Sequence, residues 1–184
     1  MKKNILIIVG SLRTQSLNGQ LAQRAVELLG DRAQVTILNY ADLPFMNQDI
    51  EFPPPEQVQR VRQEVQNANG IWFFTPEYNS SYPGVLKNLL DWLSRPLVKG
   101  DFSKGTAIAG KKAAISAAGG GAAAAGSRGK LRELLTFIKV NVMENDFGMF
   151  VGGEAFKSSV LTMNEEQESK LAKQAEAFLQ FLND

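Results

Sequence analysis

The chain has 184 residues, 44% of them apolar, and a formal net charge of +1. That is enough for one domain, 1–184, with a substantial core, and it offers neither a basic stripe for nucleic acid nor an acidic tail. It contains no cysteine and no histidine, which excludes disulfides, thiolate zinc and iron–sulfur sites, cysteine nucleophiles, His-based triads and His-held haem.

Residues 5–9 are continuously apolar, as in a strand covered on both faces. Lys2 and Lys3 before this run imitate a secretory leader, but Arg13 arrives too soon for an apolar leader core. No run approaches the roughly 20 apolar residues of a membrane span, so a soluble cytoplasmic protein is expected. Leu17, Leu21, Ala25 and Leu28 then recur at helical spacing, and Gly30 ends that helix. Residues 34–38 partly alternate, which suits an edge strand. Pro53, Pro54 and Pro55 break the chain before a helix that buries Val58, Val61, Val65 and Ala68.

Residues 71–74 form a second continuous apolar run and a central strand. Pro83 and Gly84 precede a helix with Leu86, Leu89, Leu90 and Leu93 on one face. Residues 96–111 read as a long loop. A short central strand at 113–115 leads into a Gly/Ala-rich turn. Leu131, Leu134, Leu135 and Ile138 mark the next helix, and 140–143 a fifth strand. Thr162 and Glu165 suggest a capping box for a last helix with Leu171, Ala175, Phe178 and Leu182 inward.

Strands alternating with helices predict one parallel sheet with helices on both faces. Five such units favour the strand order 2-1-3-4-5, with ligands bound beyond the carboxyl ends of the strands. The loops at that end, 10–18, 75–84 and 116–126, are the most unusual segments of the chain.

In the first loop Ser11, Arg13, Ser16 and Asn18 gather hydroxyls, a guanidinium and an amide at a helix start. That is a place for an anion, a phosphate above all. It is not a Walker loop, since it lacks the second glycine and the Gly-Lys-Ser/Thr end. In the second loop Tyr78, between Glu77 and Asn79, suits a flat heterocycle. In the third loop Gly119, Gly120 and Gly121 let the backbone approach a ligand closely. Gly119-x-Gly121-x-x-Ala124 also matches a dinucleotide fingerprint, with Glu144 about 20 residues on. That motif normally opens its βαβ unit, and here too little chain follows it.

Gly10-Ser11-Leu12-Arg13-x-x-Ser16-x-Asn18 and the run from Pro76 through Pro83-Gly84 to Asp91-Trp92 resemble the NAD(P)H-dependent FMN reductase family. That family includes quinone, azo-dye and chromate reductases. The resemblance covers about residues 4–140. It implies a flavodoxin-like three-layer α/β sandwich with bound FMN and NADPH or NADH as hydride donor. It implies that Ser11, Arg13, Ser16, Leu17 and Asn18 hold the FMN phosphate. Pro76, Glu77, Tyr78 and Asn79 would line the isoalloxazine, and Ser116, Gly119 and Gly120 its other side. It further implies a homodimer or homotetramer, with Lys87, Asn88, Asp91 and Trp92 structural or interfacial. The flavin would carry the chemistry, so no catalytic side chain and no metal are expected, and the partner is a small-molecule electron acceptor. A flavodoxin-type electron carrier, without NAD(P)H oxidation of its own, is the alternative.

Overall fold

The computed structural model describes residues 2–184. Its sheet begins with β1 (Lys3–Val9), followed by α1 (Leu17–Leu29), β2 (Ala33–Ile37), α2 (Glu56–Asn67), β3 (Gly70–Phe74) and α3 (Gly84–Leu93). After an antiparallel pair, β4 (Pro96–Val98) and β5 (Asp101–Thr106), come β6 (Lys112–Gly119) and α4 (Ala125–Phe137). The chain finishes with β7 (Asn141–Val142), β8 (Phe147–Phe150), α5 (Gly153–Ser158) and α6 (Glu165–Phe181). The strands of the main sheet run β2-β1-β3-β6-β7, all pairs parallel, and β8 also pairs with β6. This is the flavodoxin-like 2-1-3-4-5 order, with the fifth position shared by two short strands.

Alternation along the central strands builds two cores. Ile5, Ile7, Trp72, Phe74 and Ala114 point to one face, which α1 and α6 cover with Leu21, Ala25, Leu29, Leu171, Ala175 and Phe178. Leu6, Ile8, Ile71, Phe73 and Ile115 point to the other, beneath Val61 and Val65 of α2, four leucines of α3, and Leu131 and Leu135 of α4. Each large side chain so buried contributes roughly 1.5–3 kcal/mol, so the sheet register is strongly fixed. A one-residue slip would exchange the two sets.

Several details differ from the sequence reading, among them the short strand expected at 113–115, which runs on to Gly119 as β6. The region 96–111 is not a plain loop but holds the β4–β5 pair, with Pro96 opposite Thr106. The strand expected at 140–143 is only Asn141–Val142, and the fifth position resumes at Phe147, because Ser116 to Gly119 still need a partner. Leu28 lies at the margin of the core and Leu29 takes the inward place. The capping box of α6 is Asn164 with Gln167, not Thr162 with Glu165. Asn164 Oδ1 accepts from the Gln167 amide at 2.9 Å and Gln167 Oε1 from the Asn164 amide at 2.9 Å. Asn is the stronger N-cap, and Glu165 becomes the first helical residue.

Candidate active site

The first loop leaves β1 at Val9, where the Gly10 amide donates to Phe74 O at 2.7 Å. A side chain at Gly10 would sit 3.3 Å from both Leu86 and Pro76, so glycine lets the first loop lie against the second. Tyr40 supports the strand end, donating to Val9 O at 2.6 Å, and its burial pushes the phenol well above its usual range. Ser16 caps α1, its hydroxyl accepting from the Gly19 amide at 3.1 Å. The first-turn amides of Leu17 and Asn18 have no intrahelical acceptor, and partial positive charge gathers there. Arg13 is exposed, and its guanidinium donates to the Ser159 hydroxyl. The buried Asn18 amide does a different job from the one its sequence position suggests. Its Nδ2 donates to Ala118 O at 2.9 Å and its Oδ1 accepts from Ala118 N at 2.8 Å, tying α1 to the third loop.

In the second loop Asn79 and Ser80 have φ of 52° and 58°, and Tyr78 and Ser81 exchange backbone hydrogen bonds of 2.9 and 3.0 Å. This is a two-residue turn of the primed kind, which demands left-handed residues at both central positions. It holds out Tyr78, which is 53% exposed. Glu77 turns the other way. Its Oε2 accepts from the Ser127 amide at 2.9 Å and caps α4, whose own N-cap residue Ala124 offers no side-chain bond. Gly126 makes this approach feasible, since a Cβ there would stand 3.0 Å from Glu77 Oε2 and 3.1 Å from Ser80 O.

The third loop carries backbone strain. Ala123 and Ala124 have φ of 54° and 57°, a conformation that costs an L-residue roughly 1–2 kcal/mol, whereas Gly121, at 55°, adopts it freely. Gly119 must lack a side chain, because a Cβ would fall 2.9 Å from the Ala124 Cβ.

Together these segments bound one cleft of about 420 Å3, within the range of small-molecule sites. Of the residues singled out in the sequence, Ser11, Arg13, Ser16, Leu17, Asn18, Pro76, Glu77, Tyr78, Gly119, Gly120 and Gly121 line it, joined by Ala118, Ala122 and Phe156. Two of the expected residues do not. Asn79 is spent on the turn, and the Ser116 side chain points into the core. There its hydroxyl accepts from Trp72 Nε1 at 2.8 Å and donates to Gln174 Oε1 at 2.5 Å. Glu144 is exposed and outside the cleft, so the dinucleotide fingerprint lacks its acidic partner. Phe156 was not legible in the sequence, because residues 144–160 carry no recognisable periodicity or motif. Asn88 and Trp92 are structural: both donate to Pro44 O, at 2.9 and 2.8 Å, holding the segment after β2.

A family model described as NADPH-dependent FMN reductase matches residues 3–154. The chain belongs to this family. A quinone reductase of Pseudomonas putida is 34% identical over 154 residues, which is 83% of this chain and 79% of the relative. An NAD(P)H-dependent FMN reductase of Pseudomonas aeruginosa is 35% identical over 74% of this chain and 71% of its own length. The solved structure of a flavoenzyme NAD(P)H:(acceptor) oxidoreductase from Paracoccus denitrificans superposes with a TM-score of 0.85. It is 29% identical and covers 98% of this chain and 97% of that one. An archaeal flavodoxin, at 8% identity and a TM-score of 0.63, shares the fold. As a member of an FMN reductase family, the chain is an oxidoreductase that works with FMN and NAD(P)H. Among the described residues no helix is long and apolar enough to cross a membrane.

Proposed function

We propose that the cleft binds FMN and that the enzyme uses NAD(P)H to reduce quinones and similar small acceptors, free flavin and azo compounds included. The observation that carries this is the composition of the cleft lining. It gathers Ser11, Arg13, Ser16 and the free amides of the α1 first turn, a donor set for a terminal phosphate. It also holds Tyr78, Phe156 and a loop almost without side chains, which suit a flat ring system. The residues present fit the group.

In this assignment Arg13 and the Ser11 and Ser16 hydroxyls hold the phosphate, helped by the Leu17 and Asn18 amides. Pro76, Glu77, Tyr78, Gly119 and Gly120 line the ring. Asn79 shapes the turn that presents Tyr78, and Ser116 supports β6 from within the core. When bound, FMN would supply the two-electron chemistry for hydride transfer between NAD(P)H and the acceptor in ping-pong order. The protein's part is to bind, orient and exclude water, so no acid–base side chain is required. The chain acts as one domain in the cytoplasm. Phe45, Phe102 and Phe137, 87%, 62% and 82% exposed, offer aromatic surface for assembly as a homodimer or homotetramer.

The test is the visible spectrum of protein loaded with FMN and desalted, before and after anaerobic NADPH. Flavin bands near about 370 and 450 nm that are retained and then bleach are expected. Bands that persist under NADPH point instead to an electron carrier, and loss of all flavin on desalting overturns the assignment. Arg13→Ala should raise the FMN Kd by about 10- to 100-fold, the worth of one charge-assisted phosphate contact.

A further inference from the structure

The segment that closes the cleft on its C-terminal side lies almost wholly beyond the family match, which ends at residue 154. It consists of α5 and the residues up to Leu161, and its construction is unusual. No residue of α5 is buried. The helix follows Gly152 and Gly153 and ends at Ser159, whose φ is 60°. On one side Phe156 enters the cofactor cleft, its ring 3.7 Å from where a Gly120 side chain would begin. On the other side a second cleft of about 360 Å3, lined by Met149, Val151, Ala155, Val160 and Leu161, separates much of the helix from the core, and within α5 only Ala155, partly buried, packs against that core.

What fixes the segment is a polar clamp from α1 and its loop. Gln20 Nε2 donates to Ser159 O at 2.8 Å while Gln20 Oε1 accepts from the Leu161 amide at 2.9 Å. One side-chain amide thus pairs with two backbone groups, as a neighbouring strand would. Arg13 adds its bond to the Ser159 hydroxyl. A helix with little apolar packing, glycines at one end and a clamp at the other has low local stability and discrete docking points. Its half-exposed phenyl ring is free to meet a ligand rather than committed to the core.

We propose that Phe156 determines acceptor specificity, packing as an adjustable wall on planar aromatic acceptors, and that Gln20 is the residue that positions it. This rests on the FMN reading of the same cleft. A flat ring entering beside the cofactor gains face or edge contact with the phenyl ring, and the cleft behind α5 gives the wall room to retreat before larger acceptors. An acceptor without a ring gains nothing from it.

The experiment uses FMN-loaded enzyme with NADPH and two probes, 1,4-naphthoquinone and ferricyanide. Its readout is the ratio of kcat/KM for the quinone to that for ferricyanide. Phe156→Ala is expected to lower this ratio about tenfold, the worth of one good aromatic pair, and Phe156→Tyr to restore most of it. Gln20→Ala is expected to lower the same ratio about threefold, through KM rather than kcat, and to speed amide exchange across 153–161. A ratio within twofold of wild type in both alanine variants overturns the proposal. So does Phe156→Ala enzyme that loses FMN, which would make the ring part of the cofactor seat. Failure of the wild-type protein to retain FMN is seen before any variant is made and removes the cofactor reading itself, and this proposal with it.

Discussion

The two sides of the cleft are built on different principles. The first and second loops are anchored: Ser16 caps α1, Glu77 caps α4, and Tyr78 and Ser81 close a hydrogen-bonded turn. The third loop and α5 are held under strain or by few contacts. Ala123 and Ala124 are left-handed without the closed two-residue turn that accommodates Asn79 and Ser80, and no residue of α5 is fully buried. The rigid side carries the phosphate donors, whose geometry must be preformed to act as an anion site. The compliant side borders the region where different reactants must take turns. A ping-pong enzyme needs both, since one ligand stays while two others exchange.

The largest effect that would break this contrast lies at the joint between the sides. Asn18→Ala removes both partners of Ala118 and leaves a buried amide and carbonyl unsatisfied, a loss of about 2–4 kcal/mol. Urea unfolding should show the midpoint falling with little change in slope. An unchanged midpoint would mean that water replaces the side chain and the joint is not rigid. Next comes Glu77→Ala. It deprives Ser127 of its acceptor at the α4 N-terminus and should cost about 1 kcal/mol. Measured beside it, Glu77→Gln should keep the acceptor and lose only the charge term, a few tenths of a kcal/mol.

Tyr40 tests the same anchored side through pH. Its phenol is held neutral, because burial raises its pKa. The folded state therefore keeps its full advantage below the phenol's unfolded value of about 10 and loses it as pH rises past that value. Tyr40→Phe should lower stability by about 1 kcal/mol at neutral pH, through the lost bond to Val9 O. It should also lose less stability than wild type between about pH 9 and 11, the interval spanning the phenol's ordinary pKa.

The contrast also explains what could be read in advance. Strand order, helix faces and the first loop followed from periodicity and from groups whose role is local: an apolar run, a cap, a glycine after a strand. Asn18 and Ser116 were legible as polar residues near the site, yet the Asn18 side chain bonds to a partner 100 residues away in sequence and the Ser116 side chain to one 58 residues away. Residue type alone does not reveal such pairings. Phe156 carried no signal at all. Its helix is six residues long, has no apolar stripe, and matters only because Gln20 folds back onto Ser159 and Leu161. The compliant wall was hidden for the reason that makes it compliant, since few local preferences fix it.

A small expected gain is the most discriminating test of the strained loop. Ala123 holds φ of 54° without glycine's freedom. Ala123→Gly should relieve part of the left-handed cost, offset by the greater entropy of an unfolded glycine, for a net gain of about 0.5–1 kcal/mol. If the strain serves to hold the Gly119–Ala122 backbone in place for the flavin, the same variant should bind FMN about two- to threefold more weakly while melting higher, because a looser loop must be ordered on binding. A variant that gains stability and keeps its affinity would show that the strain belongs to the α4 start alone, and that the third loop owes its fit to missing side chains rather than to preorganisation.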